Sequence, residues 1–251
     1  MGKVLTVCTL LKVKPSPNGA QHGERDFWRK EGPRYLHKWM VSVGRYVPGP
    51  KRIGVMTDAP ELVPLHAVWS CDIETVPLGA TVDAPGFWAK LNMFRPEVSS
   101  GKTLYIDLDT AINGPLDELV ALEPDPLIML DDRRVPGLPN GSLILFDAER
   151  CRGIWARYAD DPRMFERYHV AYGDDYSRAY DQAFIADCVN GMFDRYQPSF
   201  FQDFNLPEGY ILNALSELPH AEDWQKARVI FGCSTGEGKP HTSTHPAFAL
   251  R

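Results

Sequence analysis

A single α/β domain with a mostly parallel central sheet flanked by helices is the architecture predicted for these 251 residues. Three observations carry that expectation. Short β-rich apolar runs alternate with stretches of helical apolar spacing through the first half of the chain, as strand–helix–strand units do. The sequence shows no repeat, low-complexity block or convincing linker, so residues 1–251 read as one domain with a polar tail from about residue 240. The stretch from Gly101 to Leu119 reads as a strand that closes on an acidic turn, and the ends of strands are where α/β folds place ligands.

Taken in order, Val4 to Leu11 is apolar and β-rich and predicts a buried first strand. Pro15 to Gly32 holds Pro15, Pro17, Gly19 and Gly23 and reads as a long loop. Tyr35 to Tyr46 carries Leu36, Trp39, Met40 and Val43 at helical spacing, and Val47-Pro48-Gly49-Pro50 ends that helix. Arg52 to Asp58 predicts a second strand and Ala67 to Ser70 a short third. Gly86 to Phe94 reads as a helix entering the central strand. Leu127 to Leu130 and Gly141 to Phe146 read as strands, Ala148 to Ala159 and Ser177 to Val189 as helices, and Val229 to Phe231 as a late strand.

Composition narrows the function classes. A net charge of -6 gives no basic footprint for nucleic acid. There is no apolar run long enough to span a bilayer, and the N-terminus lacks the features of a secretory signal. The five cysteines, Cys8, Cys71, Cys151, Cys188 and Cys233, are scattered without Cys-x-x-Cys spacing. That pattern suits a reducing cytoplasm and argues against a zinc ribbon or a disulfide framework.

The central stretch carries the chemistry. Leu104, Ile106 and Leu108 alternate with Tyr105, Asp107 and Asp109, so the two carboxylates are expected to leave one strand face together while Leu108 enters the core. Asn113-Gly114-Pro115 then supplies a turn and a helix start, with Asp117 and Glu118 in the first turn, where the helix dipole favours negative charge. Two like charges at a strand end repel unless a cation lies between them. Hard divalent ions take oxygen ligands and leave open positions for phosphate oxygens. By itself, Asp-x-Asp is also a common strand cap.

Three further pieces extend the pattern. Phe87-Trp88-Ala89-Lys90-Leu91, Gly101 to Thr110 and Gly114 to Leu119 together resemble the core of nucleotide-sugar glycosyltransferases of the GT-A (Rossmann-like) fold. The resemblance is to the retaining family that includes glycogenin and bacterial lipopolysaccharide galactosyltransferases. Asn140 to Asp147 is similar to the strand lining that family's acceptor side, and Asp181-Gln182 to the pair that starts a later helix. Cys233-x-x-Gly236-x-x-Lys239-Pro240 has the spacing of the family's His-x-x-Gly-x-x-Lys-Pro. The resemblance covers roughly Arg52 to His241.

It implies a metal-dependent transfer of a sugar from a nucleotide diphosphate, such as a UDP-sugar, to an unidentified sugar, lipid or protein acceptor. Mn²⁺ or Mg²⁺ would be held most firmly by Asp109, with Asp107 touching the metal or the ribose and Cys233 at the third metal position. Lys90 and Asn140 would join the donor and acceptor contacts, Gly236 and Lys239 would face the diphosphate, and Asp181 and Gln182 would face the reaction centre. Two departures stand out. Cys233 replaces a histidine, and a thiolate is a poor ligand for these hard ions. Water, His241 or His245 could take its place, or metal binding could be weak. The first strand also lacks the family's acidic residue for the base.

Plainer readings stand beside these: Asn140-Gly141 is a common turn signal, Asp181 a helix cap, and Trp88, Trp69 and Tyr105 core residues. Two rival functions share the motif. Leu-Tyr-Ile-Asp-Leu-Asp-Thr fits the nucleophile motif of haloacid-dehalogenase-like phosphatases, though that motif normally opens its fold. The other rival is a non-catalytic nucleotide-sugar-binding module of the same fold, which Cys233 favours.

Overall fold

A computed structural model describes residues 4–13, 22–49, 51–66, 71–79, 84, 87–131, 139–172, 181–192, 206–207, 210–213 and 227–231. Its central sheet has six strands: β1 (Leu5–Leu11), β2 (Lys51–Thr57), β3 (Asp72–Pro77), β4 (Lys102–Ile106), β6 (Leu127–Asp131) and β7 (Pro139–Asp147). Their spatial order is β3-β2-β1-β4-β7-β6. β1 to β4 run parallel, whereas β7 runs antiparallel to both β4 and β6. A second, three-stranded sheet joins β5 (Ala111–Ile112), β9 (Val229–Phe231) and β8 (Ile211–Asn213).

The period of two along the strands divides the core into two layers. On one side, Leu5, Val7 and Leu11 of β1, Ile53 and Val55 of β2, and Leu104 and Ile106 of β4 pack under α1 (His22–Tyr46). Leu36, Trp39, Met40 and Val43 supply the helix's buried stripe, as their spacing predicts. Val229 of the small sheet lies in the same cluster. On the other side, Cys8, Met56, Tyr105, Ile144 and Phe146 pack under the 3-10 segment Trp88–Phe94, α3 (Ala148–Asp160) and α5 (Asp181–Met192). Trp88 is the hub of that layer, with Tyr158, Phe165, Tyr168 and Phe184 around its ring. Every residue of the 3-10 segment is buried, Lys90 included.

Several expectations shift. Residues 22–32 are helical, not a loop: α1 begins at His22 and continues through Gly32 and Pro33. The Gly and Pro markers misled there, because a helix anchored by the buried stripe of its second half can tolerate them at a cost. The strand expected at residues 67–70 lies outside the described residues, as do residues 14–21; β3 is Asp72–Pro77. That strand alternates exposed and half-buried positions before Val76, as an edge strand with one wet face does. The expected helix at 86–94 is a 3-10 segment. α4 (Met164–Tyr172) is an additional helix, and α2 is a short one (Asp117–Ala121) with Asp117 and Glu118 in its first turn.

Candidate active site

From β1 the chain winds outward to β2 and β3, then returns to the far side of β1 as β4. The carboxyl ends of β1 and β4 therefore flank a switch in winding direction, the place where open α/β sheets form a ligand crevice. Asp107 follows the last residue of β4. Because β7 is antiparallel, its first residues, not its last, meet that end. Ile106 pairs with Leu143, and the Asp107 N–H donates to the Ser142 carbonyl at 2.9 Å. Asn140 and Gly141 are thus brought beside the acidic pair.

The strand ends earlier than its alternation suggests. The Thr110 N–H bonds the Asp107 carbonyl at 3.1 Å and closes a turn, so Asp107 to Thr110 have left the ladder. Leu108 still enters the core, as expected. The two carboxylates are set by a turn rather than by the pleat.

Asp107 is held at both oxygens. Oδ2 lies 2.8 Å from the Lys90 ammonium, and Oδ1 accepts the Tyr105 hydroxyl at 2.6 Å. Lys90 Nζ is also 3.5 Å from the Gly141 carbonyl and 5.7 Å from the ring centroids of Phe87 and Tyr105. Burial would lower the lysine's affinity for its proton, but the fields of Asp107, Asp181 and Asp109 outweigh it and raise Lys90 above its ordinary value. Among the described residues, this ammonium is the cation paired with the acidic stretch, through Asp107.

Asp109 and Asp181 differ from Asp107. Burial, with the neighbouring Asp107 charge adding to it, pushes the Asp109 carboxyl up to about 6, while Lys90 pulls it back. Asp181 opens α5 and is buried; burial lifts it to about 6 against the opposing pull of Lys90. Among the described residues its Oδ2 has no hydrogen-bond partner. A Cβ built on Gly141 would lie 3.3 Å from that oxygen and 4.0 Å from both Gln182 Oε1 and Lys90 Nζ. Gln182 Oε1 in turn accepts the Gly141 N–H at 3.4 Å. Gly141 therefore leaves a small space toward which one cationic donor and two acceptors converge.

Lys90, Asp107, Asp109, Asp181 and Gln182, all named from sequence, are brought together here. Asn140 is adjacent, but its Oδ1 accepts the Ser142 N–H at 2.9 Å, the local turn its Asn-Gly pair signals. Cys233, Gly236 and Lys239, with His241 and His245, lie outside the described residues. Two roles were not read from sequence: Tyr105, expected in the core and buried there, also donates to Asp107, and Gly141, expected as a turn or an acceptor contact, lies in β7 beside Asp181. The period of two was the available signal for Tyr105, since it places residue 105 on the same face as residue 107.

A divalent metal is implied by the resemblance, and the donor set tests it. Both acids offer hard oxygen ligands, and each oxygen of Asp107 retains a lone pair beyond its single hydrogen bond. The raised Asp109 carboxyl marks negative charge that a cation would relieve. The residues fit such an ion in kind. Among the described residues no third His, Cys, Asp or Glu completes a cluster.

The fold is the GT-A fold of glycosyltransferases, seen in comparison with solved structures. The chain matches the galactosyltransferase LgtC, solved with donor and acceptor sugar analogues, at TM-score 0.55 and 15% identity, covering 94% of this chain and 88% of that one. It matches mouse xyloside xylosyltransferase 1 at TM-score 0.55 and 10% identity over 92% of this chain and 98% of that one. The WbbM bifunctional glycosyltransferase matches at TM-score 0.55 and 13% identity over 96% of this chain, which spans 47% of the WbbM chain. No protein-family model matches the chain, and no curated protein matches it by sequence. No helix among the described residues is long and apolar enough to cross a membrane.

Proposed function

We propose that this chain is a metal-dependent glycosyltransferase that moves a sugar from a nucleotide diphosphate, a UDP-sugar, to a sugar, lipid or protein acceptor. The observation that carries the proposal is the convergence of Lys90, Asp107, Asp181 and Gln182 around Gly141, at the switch point of a GT-A sheet. The GT-A structures it matches include LgtC bound to donor and acceptor analogues and an active-site glutamine-to-glutamate mutant of LgtC. On this reading Gln182 is the corresponding glutamine, transfer retains the anomeric configuration, and the whole chain is one cytoplasmic domain. The apolar cluster shared by the two sheets supports the single-domain part of that reading.

In this reading Asp109 and Asp107 would hold Mn²⁺ or Mg²⁺, and Cys233, Gly236 and Lys239 would complete the diphosphate side. Bound there, the ion would offset charge developing on a departing diphosphate. The remaining work falls to the chain. Lys90 donates toward a sugar hydroxyl, and the vacant Asp181 Oδ2 accepts one. A buried acceptor left empty costs about 1–3 kcal/mol, so a hydroxyl that fills it is selected over an analogue lacking it. Gly141 provides the room, and the aromatic layer around Trp88 packs two residues from Lys90.

Release of nucleoside diphosphate from UDP-glucose and UDP-galactose, with Mn²⁺ and with chelator, tests the proposal. Metal-dependent release supports it. The lack of a third metal-binding side chain among the described residues favours one alternative, a nucleotide-sugar-binding module without turnover. Tight UDP binding with no release in either condition would establish that alternative. The phosphatase reading needs Asp107 as a nucleophile in a motif that normally opens its fold, whereas β1, β2 and β3 precede it here.

A further inference from the structure

Tyr105 touches both halves of the ion pair at the centre of the site. Its hydroxyl donates to Asp107 Oδ1 at 2.6 Å, and its ring lies 5.7 Å from Lys90 Nζ, whose ammonium is 2.8 Å from Asp107 Oδ2. The ring is fully buried in β4 among Cys8, Ile144 and Phe146, so the hydroxyl has little freedom to follow a moving partner. Burial, with the Asp107 charge adding to it, holds the phenol well above its ordinary value, which keeps it a hydrogen-bond donor. Asp107 itself sits just past β4: its N–H is still tied to Ser142 of β7 and its carbonyl closes the turn, so its backbone is held while its carboxylate depends on side-chain donors.

A carboxylate with one anchored oxygen can still swing about that anchor. One held at both oxygens by donors on separate elements cannot. Lys90 comes from the 3-10 segment and Tyr105 from β4, so the plane of Asp107 is fixed from two sides. Without the hydroxyl, Asp107 would rotate about its Lys90 contact. The ammonium, released from the ring-and-carboxylate cradle, would shift with it.

We propose that Tyr105 is a positioning residue: its hydroxyl sets the orientation of the Asp107 carboxylate and, through it, the placement of the Lys90 ammonium. It touches no substrate in this account. The inference deepens the glycosyltransferase reading and rests on it only where turnover is concerned.

The test is Tyr105→Phe, which removes one oxygen and keeps the packed ring. Trace acetylation read by mass spectrometry measures how readily Lys90 reacts, with Lys102 on the far end of β4 as the internal reference. Lys90 in Tyr105→Phe is expected to label at least about fivefold faster relative to Lys102, and kcat with a UDP-sugar to fall about tenfold, the worth of one hydrogen bond to a charge, with KM changed less than about twofold. In an Asp107→Asn background the same change should add little, because Tyr105 acts through that carboxylate. An unchanged Lys90 labelling ratio, or an equal effect of Tyr105→Phe with and without Asp107, overturns the proposal. A wild-type protein that turns over no UDP-sugar, yet shows the labelling shift and its dependence on Asp107, refutes the functional reading while supporting the positioning role. A general packing defect would move both labels and both backgrounds alike.

Discussion

Lys90→Met is the perturbation that most directly probes the electrostatics of the site. Methionine keeps the unbranched apolar stem of lysine and removes the terminal ammonium, with its charge and its hydrogen bonds to Asp107 and Gly141. The wild-type ammonium is 2.8 Å from Asp107 Oδ2, in a pair whose side chains are 11% and 16% exposed, and it also lies in the fields of Asp181 and Asp109. Removing one partner of a buried ion pair costs about 3–5 kcal/mol, because the remaining charge stays desolvated. The lower end applies at pH 7, since Asp181 and Asp109 can each relieve part of the strain by taking up a proton. Both carboxyls sit near 6, above their ordinary value of 3.8. The folded state therefore binds more protons than the unfolded one between those values, and stability falls as pH rises through that window. Lysine moderates that fall, so the gap between wild type and Lys90→Met should be about 3 kcal/mol at pH 7 and should narrow toward pH 5. Urea unfolding at the two pH values measures it. A gap under about 1 kcal/mol at pH 7, or one that does not change with pH, would refute the reasoning.

Three other outcomes follow from the same geometry. Gly141→Ala puts a methyl group 3.3 Å from Asp181 Oδ2, in the space the polar groups share; turnover should fall at least about tenfold while thermal unfolding shifts by only a few degrees, read by steady-state kinetics and a melt. Asp181→Asn removes a buried acid raised from 3.8 to about 6, so the variant should gain up to about 3 kcal/mol of stability above pH 6 while losing turnover, the gain disappearing below pH 4. Binding of Mn²⁺ at pH 6 should release a fraction of a proton from Asp109 and none above about pH 7.5, measured by calorimetry in buffers of different ionisation enthalpy.

Much of the sheet was legible because its strands are short apolar runs. β1, β2, β6 and β7 fall within a residue or two of where period and composition put them, whereas β4 starts where expected and ends at Ile106, short of the acidic pair. α3 was equally plain: Asp147 caps it by accepting the N–H groups of Glu149 and Arg150, and Cys151, Ile154 and Tyr158 form its buried face. The first half of α1 was hidden by Gly23, Gly32 and Pro33, whose local preferences are overridden by the stripe that anchors the second half. The antiparallel direction of β7 has no local signature at all, and it is this reversal that carries Gly141 to Asp107. The site shows the same division. Asp107 and Asp109 were readable as a pair, but the ion pair of Lys90 with Asp107 spans 17 positions and depends on how a buried 3-10 segment packs under the sheet. Asp181 reaches the same place because Phe184, one turn along α5, packs on Trp88, two residues before Lys90. Such convergence is a tertiary fact.

The central claim concerns Asp109, the one acid of the pair with no ion-pair partner among the described residues. Nucleoside diphosphate release from a UDP-sugar, measured with Mn²⁺ for wild type and for Asp109→Asn, tests it most directly. Metal-dependent release by wild type that drops at least about a hundredfold in the variant, with a melt at pH 7 that is not lowered, since the buried acid removed is one raised to about 6, is the expected result. Equal release by the two proteins, or release indifferent to Mn²⁺, would contradict it.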